Sequence, residues 1–182
     1  MRIMKKIKQK IDELNKKSET IKKLCDMIRI TSQREIAGLH AGKKINLSKI
    51  RGDVKKLSKY IKNPLLYALN KSAIFTAYQE YAEAEFVWAI MGNMELPSLK
   101  IPEPCYFTGL CDAIGEVRRQ FMLALIEKNN KKAQQLLKRS LQLGFMIAEI
   151  DASPSVINTL KPKKDMVQRS IESMLELSAR NK

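Results

Sequence analysis

The chain has 182 residues, 45% hydrophobic and 29% charged, which suits one domain with a single sizeable core, spanning 1–182, and excludes a disordered tail. The formal net charge of +15 calls for an anionic partner, nucleic acid first, although a lysine-rich thermophilic composition gives the same sign. One histidine and three cysteines without metal-type spacing exclude a His-rich zinc site and disfavour Ser-His-Asp or Cys-His catalysis; Cys25, Cys105 and Cys111 read as small apolar residues of a reducing, cytoplasmic setting. No segment reads as a secretory signal or a membrane span, since the longest apolar run, 73–91, carries three glutamates.

In chain order, residues 3 to about 41 read as one long helix. Ile7, Ile11, Leu14, Ser18, Ile21, Cys25 and Ile28 alternate steps of four and three, the pattern of a packed seam. The break "AGKKINLS" follows, with Asn46 or Ser48 as cap of a second helix whose Ile50, Val54, Leu57 and Ile61 share a face. "KNP" is a turn, and Pro64 suits the first position of a third helix running to about Met91. The three-proline stretch 92–104 is a linker. Further helices are expected over about 106–127, 130–150 and 162–179, with a short helical turn between "DASPS" and "LKPKK". No segment alternates like a strand. The expectation is an all-α, antiparallel bundle of six or seven helices without internal repeat.

The third helix poses a specific problem. It is apolar nearly all round, lacks lysine from 73 to 91, and yet holds Glu80, Glu83 and Glu85. Glu80 and Glu83, three apart, share a face, as do Asp112 and Glu116, four apart on the next helix; Glu85 lies off the stripe. If those helices are neighbours, four carboxylates converge. Such a cluster repels itself unless a divalent cation joins it, and carboxylates and water are the ligands Mg²⁺ and Mn²⁺ prefer. Carboxylates holding a metal inside a basic protein form a coherent nuclease arrangement. The alternative is a solvated helix face on which Asp112 or Glu116 pairs with Arg118 or Arg119.

The motifs "QEYAEA" (79–84) and "YFTGLCDAIGEVRR" (106–119), on successive helices, resemble the family of translin and translin-associated factor X; so do "RITSQREIAGLH" (29–40) and "SIESMLELSAR" (170–180). The resemblance spans nearly the whole chain. It implies a translin-like helical domain assembling into a hollow oligomer, an octamer of this chain or a mixed complex with a translin-like chain. It also implies single-stranded RNA, and single-stranded DNA, as partners. Glu80, Glu83, Asp112 and Glu116 match the magnesium-dependent endoribonuclease branch of that family, which implies that they bind Mg²⁺ (or Mn²⁺) and carry catalysis; the alternative is the non-catalytic, strand-binding branch. The last helix lacks the tyrosine usual in the family, which bears on assembly contacts rather than chemistry.

For the strand, the first candidate lining is "RGDVKKLSKYIKN" (51–63), with Arg51, Lys55, Lys56, Lys59 and Lys62 meeting phosphates and Tyr60 stacking on a base. A second is "KKAQQLLKR" (131–139). Arg118 and Arg119 lie near the acids, Arg119 on their stripe. His40 is expected to pack between helices rather than act as a base, and Phe86 and Trp88 to serve the core or a subunit contact.

Overall fold

A computed structural model describes residues 2–181. Six helices follow one another: α1 Arg2–His40, α2 Ser48–Tyr60, α3 Pro64–Met91, α4 Glu103–Ile126, α5 Asn130–Glu149 and α6 Leu160–Arg180. No strand occurs among the described residues, and none of these helices is long and apolar enough to cross a membrane.

The starts are set by local chemistry. The Asn63 side chain accepts from the amides of Leu65 and Leu66, and Pro64 follows where its missing N–H costs nothing. Asn129 caps α5 by accepting from Lys132 N. At α2 the cap position falls on Leu47, and Asn46 accepts from Ser48 N instead, so neither expected residue is itself the cap. Helix α4 begins three residues before expectation, at Glu103, with Pro104 in its first turn. The short helical turn expected after α5 is a single hydrogen-bonded turn, in which Ser153 O accepts from Val156 N and Ile157 N.

Successive helices run antiparallel. Between α3 and α4 the pairs are Gln79 with Asp112 and Phe86 with Tyr106. Alternate helices run parallel: Ser18 bonds Asn70 and Gln33 bonds Glu80 between α1 and α3, and Asp112 meets Lys163 and Arg118 meets Ser173 between α4 and α6.

The apolar side chains form two clusters. One joins α3 to α4, α5 and α6 around Phe86, Ile114, Phe121 and Leu143. The other joins α3 to α1 and α2 around Ile21, Ile28, Leu57 and Tyr78. Because α3 serves both, it is apolar on nearly every face. Its third glutamate is buried and paired: Glu85 accepts two 2.7 Å hydrogen bonds from Arg51. The three cysteines are free and buried, and burial pushes their thiols up, Cys25 to about 11 and Cys105 and Cys111 to about 12.

The expected α1 seam holds only in its second half. Ile21, Cys25 and Ile28 are buried, whereas Ile7 and Ile11 are 44% and 51% exposed.

Candidate acidic site between three helices

Gly109 decides how closely α3 and α4 approach. A Cβ at this position would stand 2.7 Å from both the Gln79 carbonyl oxygen and Ala82 Cβ, and 3.0 Å from Glu83 N. Only glycine allows that contact. One turn further along α4 stands Asp112, and a second turn brings Glu116, so the close crossing presents both acids to the Glu80–Glu83 stripe.

The four acids do come together. Three of them line a cleft of about 280 Å³, bounded by Gln33 and His40 of α1, Glu80 and Glu83 of α3, and Glu116 and Arg119 of α4. Asp112 lies beside it, hydrogen-bonded at Oδ2 by Gln79 Nε2 at 2.7 Å and ion-paired at Oδ1 with Lys163 of α6. Glu116 Oε2 is 2.5 Å from His40 Nε2, and Glu80 Oε1 accepts from Gln33 Nε2 at 3.1 Å. Glu83 makes no ion pair or side-chain hydrogen bond among the described residues. Burial first, then the charges of Asp112, Glu80 and Glu116, push its carboxyl up to about 8, against the pull of Lys163. Burial likewise raises Glu80, opposed by Gln33 and Arg29.

Four carboxylates without a thiol are a hard-cation donor set. Glu80, Glu83 and Glu116 each keep at least one oxygen free of a side-chain partner, while both oxygens of Asp112 are engaged. The residues therefore fit a divalent cation in kind and in helical position. In the present side-chain arrangement no three of the acids, histidine and cysteines stand as a metal-holding group among the described residues; Glu80, Asp112 and Glu116 are bonded to Gln33, Lys163 and His40.

The basic candidates divide. Lys55, Lys59 and Lys62 are exposed and make no ion pair among the described residues. Lys56 pairs with buried Asp53 at 2.8 Å, and Arg51 is committed to Glu85 and lies 5.5 Å from the Trp88 ring centroid. Tyr60 packs in part against the α1–α2–α3 cluster. Arg118 turns to Ser173 on α6, whereas Arg119 is exposed at the cleft. Lys163, Gln33 and Gln79 escaped the sequence reading: Lys163 lies 51 residues from its partner and nothing local marks it, although Gln79 stands inside the motif "QEYAEA". His40, expected to serve packing alone, has its side chain only 6% exposed and bonded to Glu116.

No protein-family model matches the chain. An uncharacterised protein of Methanocaldococcus jannaschii is 28% identical over 133 residues, which cover 71% of this chain and 58% of that protein. The chain thus spans less than two thirds of the length of that relative. Among solved structures, AfC3PO in complex with duplex RNA matches with a TM-score of 0.76 at 25% identity, covering 100% of this chain and 96% of that one. Apo-NeC3PO matches with a TM-score of 0.84 at 19% identity, covering 100% and 98%. The all-α fold is shared with these C3PO proteins.

Proposed function

We propose that this chain binds RNA as a translin-like protein and is a divalent-metal-dependent endoribonuclease of the translin-associated factor X type, acting on single-stranded RNA inside an oligomeric shell. The observation that carries the reading is the gathering of Glu80, Glu83 and Glu116 around one cleft, with Asp112 close enough to act on Glu83, in a protein with net charge +15. The likeness to a C3PO protein solved with duplex RNA supports the choice of nucleic acid.

Glu80, Glu83 and Asp112 would hold Mg²⁺ or Mn²⁺, with Glu116 as a further ligand or as support. When bound, the cation would stabilise charge on the phosphodiester and acidify a water molecule. The chain's own residues do the rest. Lys163 balances the charge of Asp112. Arg119, exposed beside Glu116, is placed to meet a phosphate. Lys55, Lys59 and Lys62 hold the strand without reading its bases. A homo-oligomer, an octamer by resemblance, or a mixed complex with a translin-like chain would enclose these surfaces.

One observation favours a second reading, a non-catalytic binder of single-stranded RNA or DNA: Asp112 and Glu116 are already satisfied by Lys163 and His40. The two readings separate in a cleavage assay on labelled single-stranded and duplex RNA, with Mg²⁺ or EDTA, comparing wild type with Glu80→Ala and Asp112→Ala. Cleavage that needs the metal and both acids establishes the nuclease. Salt-sensitive binding with no cleavage under any condition establishes the binder.

A further inference from the structure

His40 lines the acidic cleft and is bonded to Gln120; the His40 side chain is 6% exposed and Gln120 2%. His40 Nε2 is 2.5 Å from Glu116 Oε2, and His40 Nδ1 is 2.5 Å from Gln120 Nε2. An ionised carboxylate only accepts, so Nε2 carries a proton. Whether Nδ1 donates or accepts depends on which way the Gln120 amide faces. Lys132 is the group that bears on this: its ammonium, 3.5 Å from Gln120 Oε1 and so at the outer limit of a hydrogen bond, has three N–H bonds and no lone pair. The amide oxygen therefore faces Lys132, the NH₂ group faces His40, and Nδ1 accepts. Donation runs in one direction, from Lys132 to Gln120 to His40 to Glu116, across α5, α4 and α1 and back to α4.

We propose that this run makes His40 the positioning residue of Glu116. It fixes one imidazole tautomer, aims a single N–H at Oε2, and leaves Oε1 free of a side-chain partner for the site. The inference rests on the reading of the acids as a divalent-cation site. A ligating carboxylate works best when a neighbouring donor fixes its orientation, and losing such a donor typically costs about 10–100-fold in metal affinity. A histidine that merely filled space between α1 and α4 would need neither a fixed tautomer nor a donor at Nε2.

The chain contains one histidine, so ¹⁵N labelling of histidine gives a ring spectrum with no assignment ambiguity. In metal-free wild type, Nδ1 is expected to resonate as a bare nitrogen and Nε2 as a protonated one. The opposite tautomer, or averaging between the two, overturns the lock. Lys132→Met and Gln120→Met should each bring on averaging; an unchanged spectrum in both overturns the relay. Mn²⁺ binding, followed by electron paramagnetic resonance, then tests the consequence. His40→Phe should weaken it by about 10–100-fold, and His40→Gln, which keeps an N–H donor at similar reach, should restore most of the loss. Equal affinity in wild type, His40→Phe and His40→Gln overturns the positioning role. If His40→Phe fails to fold, Gln120→Met takes its place in the Mn²⁺ series. Wild type that binds no Mn²⁺ removes the metal reading itself, and the positioning role with it. The tautomer spectrum still reports separately on the lock.

Discussion

Arg51 grips Glu85 through two hydrogen bonds of 2.7 Å, and the two ends of the pair live in different solvents: the Glu85 side chain is 1% exposed and the Arg51 side chain 48%. Removing the arginine strands a buried charge. Arg51→Ala should cost about 2–3 kcal/mol in a urea melt, the open side of the guanidinium tempering the loss. Arg51→Met with Glu85→Leu should recover most of it. An Arg51→Ala protein as stable as wild type would show that Glu85 finds another partner.

Gly109 and Gly115 lie on the same helix with opposite surroundings. Gly109→Ala drives a methyl group into the backbone of α3 and should destabilise by about 1–3 kcal/mol. By prising α4 from α3 it should also abolish divalent-cation binding. Nothing lies within 4 Å of a Cβ at Gly115, so Gly115→Ala should be neutral or stabilising by up to about 1 kcal/mol. Thermal melts and Mn²⁺ titration of the two variants check both statements.

Glu83 should make the metal-free protein less stable as pH rises. Its carboxyl ionises near the ordinary 4.5 when unfolded and at about 8 when folded, so between these values the folded state holds the extra proton. Stability is therefore full below about pH 4.5 for this group, falls through the window, and reaches its floor above about pH 8. The loss amounts to a few kcal/mol at most, since each pH step of one across that window is worth roughly 1.4 kcal/mol before solvent screening. Melts of wild type and Glu83→Gln from pH 5 to 8 check this: the downward slope should become shallower in the variant, Glu80 keeping a part of it, and saturating Mg²⁺ should flatten it in wild type.

Lys55, Lys59 and Lys62 make no ion pair among the described residues, unlike Arg51 and Lys56. Replacing all three with alanine should weaken single-strand binding equally across sequences. It should also lower the slope of log K against log salt by about two, at roughly 0.7 per phosphate contact. Fluorescence anisotropy at several salt concentrations measures it. An unchanged slope would move the strand to another face, with 131–139 next in line.

Helix positions were legible because their signals are local. Pro64 announces α3, but the caps Asn63 and Asn129 went unread, and neither Asn46 nor Ser48, read as the cap of α2, is that cap. The pairing of Glu80 with Glu83 and of Asp112 with Glu116 follows from helical pitch alone. The partners of those acids did not follow, since Gln33, His40 and Lys163 reach them across 47, 76 and 51 residues. Periodicity could not distinguish them from any other polar residue. The α1 seam misled for a related reason: a stripe records which side of a helix is apolar, not how far the neighbouring helices extend along it.

Helix α1 has 39 residues, about 58 Å at 1.5 Å per residue, and its first buried side chain is Ile21. The stretch from Arg2 to Glu13 is exposed throughout. A helix of that length on its own is marginal in water. One continuous rod is thus two thermodynamic objects. Its packed stretch from Ile21 should open with the bundle, whereas the turns before it should open one by one, with amide protection graded toward the N-terminus. Whatever seats itself on Ile3, Ile7 and Ile11 would move that boundary along the rod, and would be read as protection gained far from any acid.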